Sequence, residues 1–512
     1  AAKGIAIYER GDTLKKNIIS SFMIITVFNA LDRALGFLFR IYLSREMGAE
    51  SMGVYQVASS VFMALLTFIT SGIPLVVSKS TAKAERNGQT HRLSSISTAA
   101  LCIGLTTGAA AVAATFALRP LLSSLMGERA VASLLMLVPS LLFSAIYSAF
   151  RGNLWGRSKF FVVALVEVIE QAARMSCCFI LFSQGADKLL SSSFSLTAGC
   201  AISAAACAVF YFRSGGKLRS PKNEWKALLK SELPITLSRA AATLASSVLS
   251  VAAPMLFVLS GYSSERAYEL FGAASGMALP LLYVPLTVIG SLAFVLIPSI
   301  GACADEGRYE SVNRSISSAV NFSAIVACLF IPLFSVCGEA IGGIVYGNAD
   351  SGRFLSAAAW ILLPLSIESI TSSLMNSLDL EMRSFINSMI GYACQALTYV
   401  IFARGFTPEI FALGIGVSLT VSTGLHIYYI YKKTGLRLKT MKNAAMAALM
   451  IFPAATLNRS LFGIFSFAPP LAAVVMSGLI TMAAYILLCF AFGWVEMYPI
   501  LKRGKKARAK AG

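Results

Sequence analysis

The chain has 512 residues, of which 57% are hydrophobic and 13% are charged, with 43 Lys and Arg against 24 Asp and Glu. Because soluble domains are usually near half apolar and a quarter charged, this composition and a mean hydropathy of +0.73 exclude an ordinary soluble protein and predict a polytopic membrane protein. The basic excess does not indicate nucleic-acid binding, since most Lys and Arg lie in short segments between apolar runs.

The first apolar run contains charged residues in an unusual place, within NALDRALGFLFR (29–40). A charge at the bilayer centre costs about 2.5–3.5 kcal/mol, so Asp32, Arg33 and Arg40 are not expected to face lipid. Asn29, Arg33 and Arg40 recur at helical spacing and therefore share one face. This pattern predicts a cationic stripe facing a wet cavity. The alternative for both arginines is that they snorkel to lipid headgroups.

Apolar runs long enough to cross a bilayer predict fourteen helices. The first is too long for a signal peptide and is expected to remain as an anchor. With the N-terminus inside, the inside segments hold 31 of the 43 Lys and Arg, the outside loops 8 and the spans 4, which predicts that both termini are cytoplasmic. The predicted spans are 17–43, 54–77, 94–118, 130–150, 160–182, 191–212, 234–260, 270–299, 315–337, 354–378, 385–403, 409–431, 444–462 and 470–494.

The order of the spans predicts two lobes. A basic linker at 213–232 separates six helices from six more, and the stretch 53–88 is matched in length and pattern by 272–307. Two six-helix halves that start on the same side would be parallel repeats around a central cavity. The predicted divisions are an N-lobe at 1–231, a C-lobe at 232–435, and two accessory helices with a basic tail at 436–512.

The fifth span carries a polar face. Glu167, Glu170, Gln171 and Arg174 share that face, and Glu170 precedes Arg174 by four residues, the favourable order for an ion pair. One interpretation is an internal salt bridge that holds this helix within its lobe. The other is that a glutamate binds a proton or a cation during transport.

Three further polar residues are candidates. Arg239 near the start of the seventh span is placed to face the same cavity as Arg33, or else snorkels to the cytoplasmic surface. Glu368 lies in the middle of the tenth span and is either an ion site or a neutral, hydrogen-bonded acid; Asp379 lies at the inner end of that span. The hydroxyl residues expected around Glu368 are Ser366, Ser369, Thr371 and Ser372.

Several kinds of chemistry are not supported by the sequence. Nucleotide-binding, zinc-protease and serine-hydrolase motifs are absent from it. The two histidines, His91 and His426, are far apart, which argues against a histidine-rich metal site. We therefore expect no metal and no cofactor, and coupling to Na⁺ or H⁺ is left open.

At its polar motifs the chain resembles the stage V sporulation protein B and polysaccharide-export branch of the MOP flippase superfamily. The matching segments are 32–56, 71–79, 151–157, 168–175, 233–236 and 268–300. The resemblance implies two six-helix bundles in a V around a central cavity, with two accessory helices. It also implies export of a polyprenyl-diphosphate-linked sugar. Arg33 in DRALGF matches a cavity arginine of the related lipid II flippases, whereas Phe39 occupies the place of their second arginine and Arg40 follows it.

The favoured hypothesis is a flippase of the bacterial cytoplasmic membrane, not an enzyme, that moves a polyprenyl-diphosphate-linked glycan from the inner to the outer leaflet. Its predicted substrate-binding residues are Asn29, Arg33, Arg40 and Arg239, and membrane lipids rather than nucleic acid are its expected surroundings. A cation-coupled multidrug exporter is the first alternative. An integral-membrane glycan polymerase or ligase is the second, although the short outside loops leave little room for a catalytic domain.

Overall fold

The computed structural model describes the backbone of residues 2–221, 224–435 and 439–492. Side chains are described from residue 27 onward within these ranges, except at 29, 90, 292–299, 302 and 439–443. All regular secondary structure in these ranges is helical, which confirms the predicted all-α class. Asn29 of the predicted stripe and the basic tail beyond residue 492 lie outside the described side chains.

Twenty α-helices follow one another in the described part of the chain. The first ten are α1 (Ala2–Thr70), α2 (Ile73–Arg86), α3 (Thr90–Ala117), α4 (Arg119–Met126), α5 (Glu128–Leu137), α6 (Ser140–Gly156), α7 (Phe160–Ser183), α8 (Lys188–Arg213), α9 (Trp225–Leu259) and α10 (Ser264–Phe271). The others are α11 (Leu279–Leu282), α12 (Val284–Asp305), α13 (Tyr309–Tyr346), α14 (Ala349–Ala358), α15 (Leu362–Ser377), α16 (Glu381–Ile401), α17 (Pro408–Thr434), α18 (Lys439–Leu449), α19 (Ile451–Ile464) and α20 (Pro470–Ala491). A π-helix at Gly272–Ala278 joins α10 to α11.

The helices agree with the predicted number of membrane spans. Eleven segments of the described chain are long and apolar enough to cross a bilayer. One of these, Ala30–Arg86, has 57 residues, enough for two crossings, and its helix breaks at Gly48, where φ is 74°. Helices α7 and α16, with 24 and 21 residues, are also long enough to cross but are more polar. The chain is therefore a multi-pass helical membrane protein with about fourteen spans.

The chain packs into two compact units. Unit 1 comprises Ala1–Met255 and Ser264–Gly272, and unit 2 comprises Leu256–Ser263 and Ala273–Gly512. Most of α9, which the sequence analysis assigns to the C-lobe, packs within unit 1. The predicted lobes are sequence repeats, whereas the units are defined by packing, and a helix can pack with the repeat that precedes it. The lobe boundaries therefore stay a prediction.

Two glycines bring helices of unit 1 into backbone contact. A Cβ at Gly53 would lie 2.0 Å from the carbonyl oxygen of Tyr268, and one at Gly272 would lie 1.9 Å from that of Ala49 and 2.6 Å from the amide nitrogen of Gly53. Gly53 and Gly272 are the first residues of the two matched stretches in the sequence. The two stretches therefore meet at their first residues, and their relation as parallel repeats stays a prediction.

The basic linker after α8 is docked on unit 1. The amide of Lys217 donates to Ser94 Oγ at 3.3 Å and the amide of Arg219 donates to Thr98 Oγ1 at 3.1 Å. Arg92 of α3 then forms a two-pronged ion pair with Glu224, at 2.7 and 3.3 Å. These bonds fix the approach of the chain to α9.

The long helix α13 is central to unit 2. Its inner face contributes Ile316, Ala319 and Val320 to an apolar core shared with α12 and α15. The accessory helices pack on the same helix: Asn458 of α19 donates to the carbonyl of Pro332 at 3.0 Å, and Gly478 of α20 allows close contact with Leu333. These contacts fix both accessory helices to the middle of α13.

Candidate functional site

Arg33 lies on α1 as an exposed guanidinium within an apolar helix. Its neighbour Asp32 is partly buried and interacts electrostatically with both Arg33 and Arg174. Within the described residues, Arg33 forms no hydrogen bond and no ion pair closer than 4 Å. Its five N–H donors are therefore available for a ligand.

Arg40 lies two helical turns further along α1 and has a partner. Its Nη2 donates to Gln56 Oε1 at 2.8 Å. These residues are 16 positions apart, and they can meet because the chain turns at Gly48, whose positive φ favours glycine. Arg40 is thus bonded within its own helix, whereas Arg33 is exposed.

A second basic side chain approaches this part of α1 from α7. Arg174 Nη2 donates to the hydroxyl of Tyr55 at 3.1 Å, and its guanidinium lies 5.2 Å from the centre of the Phe39 ring. The ion pair expected between Glu170 and Arg174 is not formed, because Arg174 turns toward α1 instead. Glu170 accepts a weak hydrogen bond from the Cys200 thiol at 3.8 Å.

Glu167 pairs with a residue that the sequence analysis did not single out. Arg151 Nη2 of α6 lies 2.7 Å from Glu167 Oε1, and both side chains are about three-quarters buried, at 27% and 24% exposed. Tyr147 donates to the same carboxylate at 3.4 Å, and the Arg151 guanidinium stacks 4.2 Å above the Trp155 ring. The motif RGNLWGR contains Arg151 and Trp155 four residues apart, which is a signal for this stacking.

These contacts form what we call the unit 1 polar cluster, between α1, α6 and α7. Glu167 also interacts electrostatically with Asp32, which connects the Arg151 pair to the Arg33 end of the cluster. Two buried donors in it, Gln171 Nε2 and Arg174 Nε, have no hydrogen-bond partner. The cluster comprises Asp32, Arg33, Arg40, Gln56, Tyr55, Tyr147, Arg151, Glu167, Glu170, Gln171 and Arg174.

Arg239 of α9 contacts a break between two helices. Its Nη1 donates to the carbonyl of Ser71 at 3.2 Å, in the two-residue joint that separates α1 from α2. The side chain is otherwise exposed. Its approach to the cavity of Arg33 stays a prediction.

In unit 2, Glu368 is mostly buried and interacts electrostatically with Tyr392. Two of the hydroxyl groups expected to surround it bond elsewhere: Thr371 donates to backbone carbonyls, and Ser372 lies 3.5 Å from Ser384. Asp379 is exposed in the turn between α15 and α16, with φ at 53°. Their roles in ion coupling stay predictions.

Near Glu368, a neutral network joins three helices. The buried ring of His426 lies between Thr371 Oγ1, 3.4 Å from Nδ1, and Ser384 Oγ, 3.3 Å from Nε2. Thr371 uses its own hydrogen on the carbonyl of Ile367, so Nδ1–H is the donor to Thr371. The ring is 0% exposed and its bonds here are to hydroxyl groups, which fits the neutral form. The sequence analysis considered His426 only as a metal ligand.

An apolar groove lies within unit 1 between α1, α4 and α9. Its volume is about 630 Å³ and its lining is almost entirely hydrocarbon. One end reaches Phe68 and Leu237, next to the Ser71–Arg239 contact. The lining also includes Ala64, Leu125, Leu244 and Met255.

Comparison with solved structures defines the class of protein. The fold matches the lipid II flippase MurJ in an inward closed conformation, with a TM-score of 0.69 and 15% identity over 92% of this chain and 99% of that one. It also matches an inward-facing multidrug resistance MATE family transporter of the MOP superfamily, with a TM-score of 0.67 and 14% identity over 79% of this chain and 95% of that one. This chain therefore has the helical fold of MOP superfamily transporters.

The family is defined by sequence. A family model described as polysaccharide biosynthesis protein matches residues 16–304, more than half of the chain, and the chain belongs to that family. The stage V sporulation protein B of Bacillus subtilis (strain 168) is 24% identical over 463 residues, which cover 85% of this chain and 88% of that protein. The resemblance drawn from the sequence motifs is confirmed.

Proposed function

We propose that this protein is a flippase that moves a polyprenyl-diphosphate-linked glycan from the inner to the outer leaflet of a bacterial cytoplasmic membrane, by alternating access and without enzymatic chemistry. Family membership supports a role in polysaccharide biosynthesis. The observation that carries the proposal is Arg33, an exposed guanidinium in an apolar helix, while Arg40, Arg151 and Arg174 are each held by a neighbour.

A diphosphate is the anion that this arrangement fits. Guanidinium binds phosphate oxygens through two parallel hydrogen bonds, and such charge-assisted bonds are stronger than neutral ones. Arg33 would make the first contact, and Asp32 beside it would keep the empty site from holding an uncompensated charge. Arg40 and Arg239 would contribute if they exchange Gln56 and Ser71 for the headgroup, and Asn29 lies one turn before Arg33 on the same helix.

The groove supplies a place for the polyprenyl chain. An apolar cavity within membrane-spanning helices is unfavourable for water and favourable for hydrocarbon. It ends beside Arg239, so a chain in the groove would place its phosphate end near a guanidinium. A free, hydrophilic substrate would have no use for this surface. We expect both termini to be cytoplasmic, and coupling through Glu167, Glu170, Glu368 or Asp379 to Na⁺ or H⁺ is part of the proposal.

The substitution Arg33→Ala tests the headgroup contact. We expect retention of polyprenyl-diphosphate glycan in native mass spectrometry to fall by roughly tenfold to a hundredfold, because a charge-assisted hydrogen bond contributes about 1.5–3 kcal/mol. Arg33→Lys should recover part of the binding. Arg119→Ala, which removes an exposed arginine of α4 in a surface ion pair, is the matched control. Equal binding by Arg33→Ala and Arg119→Ala would contradict the proposal.

The substitution Leu244→Trp tests the groove. Leu244 is exposed and lines the cavity, so an indole there should fill it and weaken binding of the long-chain lipid. Binding of a short-chain analogue with the same headgroup should be retained. Ile180→Trp on the exposed face of α7 adds the same bulk outside the groove. If both variants bind the long-chain lipid as the unmodified protein does, the chain binds elsewhere.

A cation-coupled multidrug exporter is the second candidate. It is favoured by the MATE fold match and by carboxylates of both units, Glu167 and Glu368, that lie within helices. In that case deletion would raise drug sensitivity and Glu167→Gln or Glu368→Gln would fail to restore resistance. The flippase proposal expects no change in drug sensitivity.

A further inference from the structure

The helical run of α1 and α2 is interrupted at the joint between them. Thr70 ends α1, Ile73 begins α2, and Pro74 follows at the second position of the new helix. A break of this kind leaves carbonyl groups without helical partners. Helix α9 supplies one such partner, because Arg239 donates to the carbonyl of Ser71 at 3.2 Å. The Ser71 hydroxyl also donates to Thr236 Oγ1 at 3.5 Å.

Glu232 lies one turn before Thr236 and is packed directly on this joint. A Cβ built on Gly72 would lie 2.4 Å from Cγ of Glu232, so only glycine permits the contact. Glu232 is 6% exposed. On the same face of α9, Leu228 is buried in the apolar core formed with α2, α3 and α6, and Ile235 packs against that core.

The carboxyl group of Glu232 has no hydrogen bond and no ion pair within the described part of the chain. Charged or titratable side chains occur on each element around it, but in that same part of the chain none interacts with it electrostatically. They are Lys79, Lys83, Glu85 and Arg86 of α2, His91 and Arg92 of α3, Arg151 of α6 with Arg157 directly after that helix, and Lys226, Lys230 and Arg239 of α9. An ionised carboxylate in this position would be a largely desolvated charge without a compensating partner, which is unfavourable. The packed arrangement therefore fits the neutral acid.

We propose that Glu232 is a proton-binding site whose protonated form holds α9 against the joint between α1 and α2. When the proton passes to water, the carboxylate must be hydrated, and α9 withdraws from Gly72. The contact of Arg239 with Ser71 is then lost, and the guanidinium becomes available to an anion. This inference goes beyond the proposed function, because the site does not depend on which cargo the protein carries.

Hydrogen exchange in lipid nanodiscs, read by mass spectrometry, tests the proposal. The unmodified protein and Glu232→Gln are compared at each of several pH values, so the intrinsic dependence of exchange on pH cancels. At acidic pH the peptide covering 66–76 should exchange equally in both. At alkaline pH it should exchange about tenfold faster in the unmodified protein, a size usual for coupling between two sites. Equal exchange at every pH overturns the proposal.

Two further measurements keep the test decisive. Glu224→Gln, which removes the partner of Arg92 on the segment leading into α9, is the matched control and should alter exchange to the same extent at every pH. Infrared difference spectra of the unmodified protein should show a protonated carboxyl band lost on raising the pH, and Glu232→Gln should lack that band. If Glu232→Gln does not fold, Glu232→Met should show the same pH-independent protection. A band that persists in the variant overturns the assignment.

Discussion

The two compact units satisfy their interior polar groups in different ways. In unit 1 the interior holds charges, with Arg151 bonded to Glu167 and Arg174 placed on Tyr55 and Phe39. In the described part of unit 2 the interior network around His426 is neutral. The ion pairs of that part lie at the surface, as Arg314 with Glu310 does at 70% and 93% exposed.

The two interiors differ in how readily their polar groups can change hydrogen-bond or ion-pair partners. A charged pair away from water is costly to bury and can be replaced by another charge, such as a phosphate. A neutral, satisfied network costs less to bury and gains little from a charged ligand. The exposed Arg33 and the pair of Arg151 with Glu167 both belong to unit 1, so the proposed function places its anionic cargo in that unit.

The largest effect is expected for Arg151→Met. This change leaves Glu167 without its partner and removes the stacking on Trp155. We expect a loss of about 2–3 kcal/mol in the free energy of unfolding, since breaking a fully buried pair costs about 3–5 and an exposed one about 0–1. Unfolding in mixed detergent micelles measures it.

The double variant Arg151→Met with Glu167→Met is the internal control. Removing both charges should recover much of the lost stability, because no unpaired charge stays behind. If the double variant is less stable by the sum of the two single losses, the pair is not coupled and the description of unit 1 is wrong.

A smaller effect is expected for His426→Leu in unit 2. Leucine fills similar space but leaves the hydroxyl of Ser384 without its ring partner, while Thr371 keeps its bond to Ile367. The expected loss is about 1–2 kcal/mol, the range for an unsatisfied neutral group. The same unfolding assay measures it. Binding of an anionic lipid should not change.

The smallest effect is expected for Arg314→Gln. Its ion pair with Glu310 is almost fully exposed at 3.3 Å, where water and salt screen the attraction. The free energy of unfolding should change by less than about 0.5 kcal/mol. A loss as large as that of Arg151→Met would remove the contrast between the two units.

The polar residues within the spans could be identified from the sequence more readily than the side chains that they contact. The spacing of Asn29, Arg33 and Arg40 predicts a shared face, and all three residues lie in α1. The pairing of Arg40 with Gln56 depends on the turn at Gly48, which the helical pattern does not reveal. Glu232 also lay outside the sequence interpretation, because a glutamate beside basic residues before Pro234 looks like an ordinary solvated helix start.

The linker at 213–232 is a second region whose contacts could not be predicted from the sequence. Its Gly-Gly, Pro and Lys content is typical of a flexible connection, yet its backbone bonds to Ser94 and Thr98. Local composition reports how a segment behaves alone, whereas docking depends on donors and acceptors supplied by a distant helix.

The sequence by itself determined the class of the protein, because bilayer insertion depends on the length and hydrophobicity of each segment, and these are local properties. It also determined the number of spans, the polar residues among them and the family. Only the tertiary structure decided that Arg174 contacts Tyr55, that Glu167 pairs with Arg151 and that Glu232 packs on Gly72. Each of these contacts depends on distances between helices that are far apart in the chain. An interior charge pairs with the group that helix packing places near it.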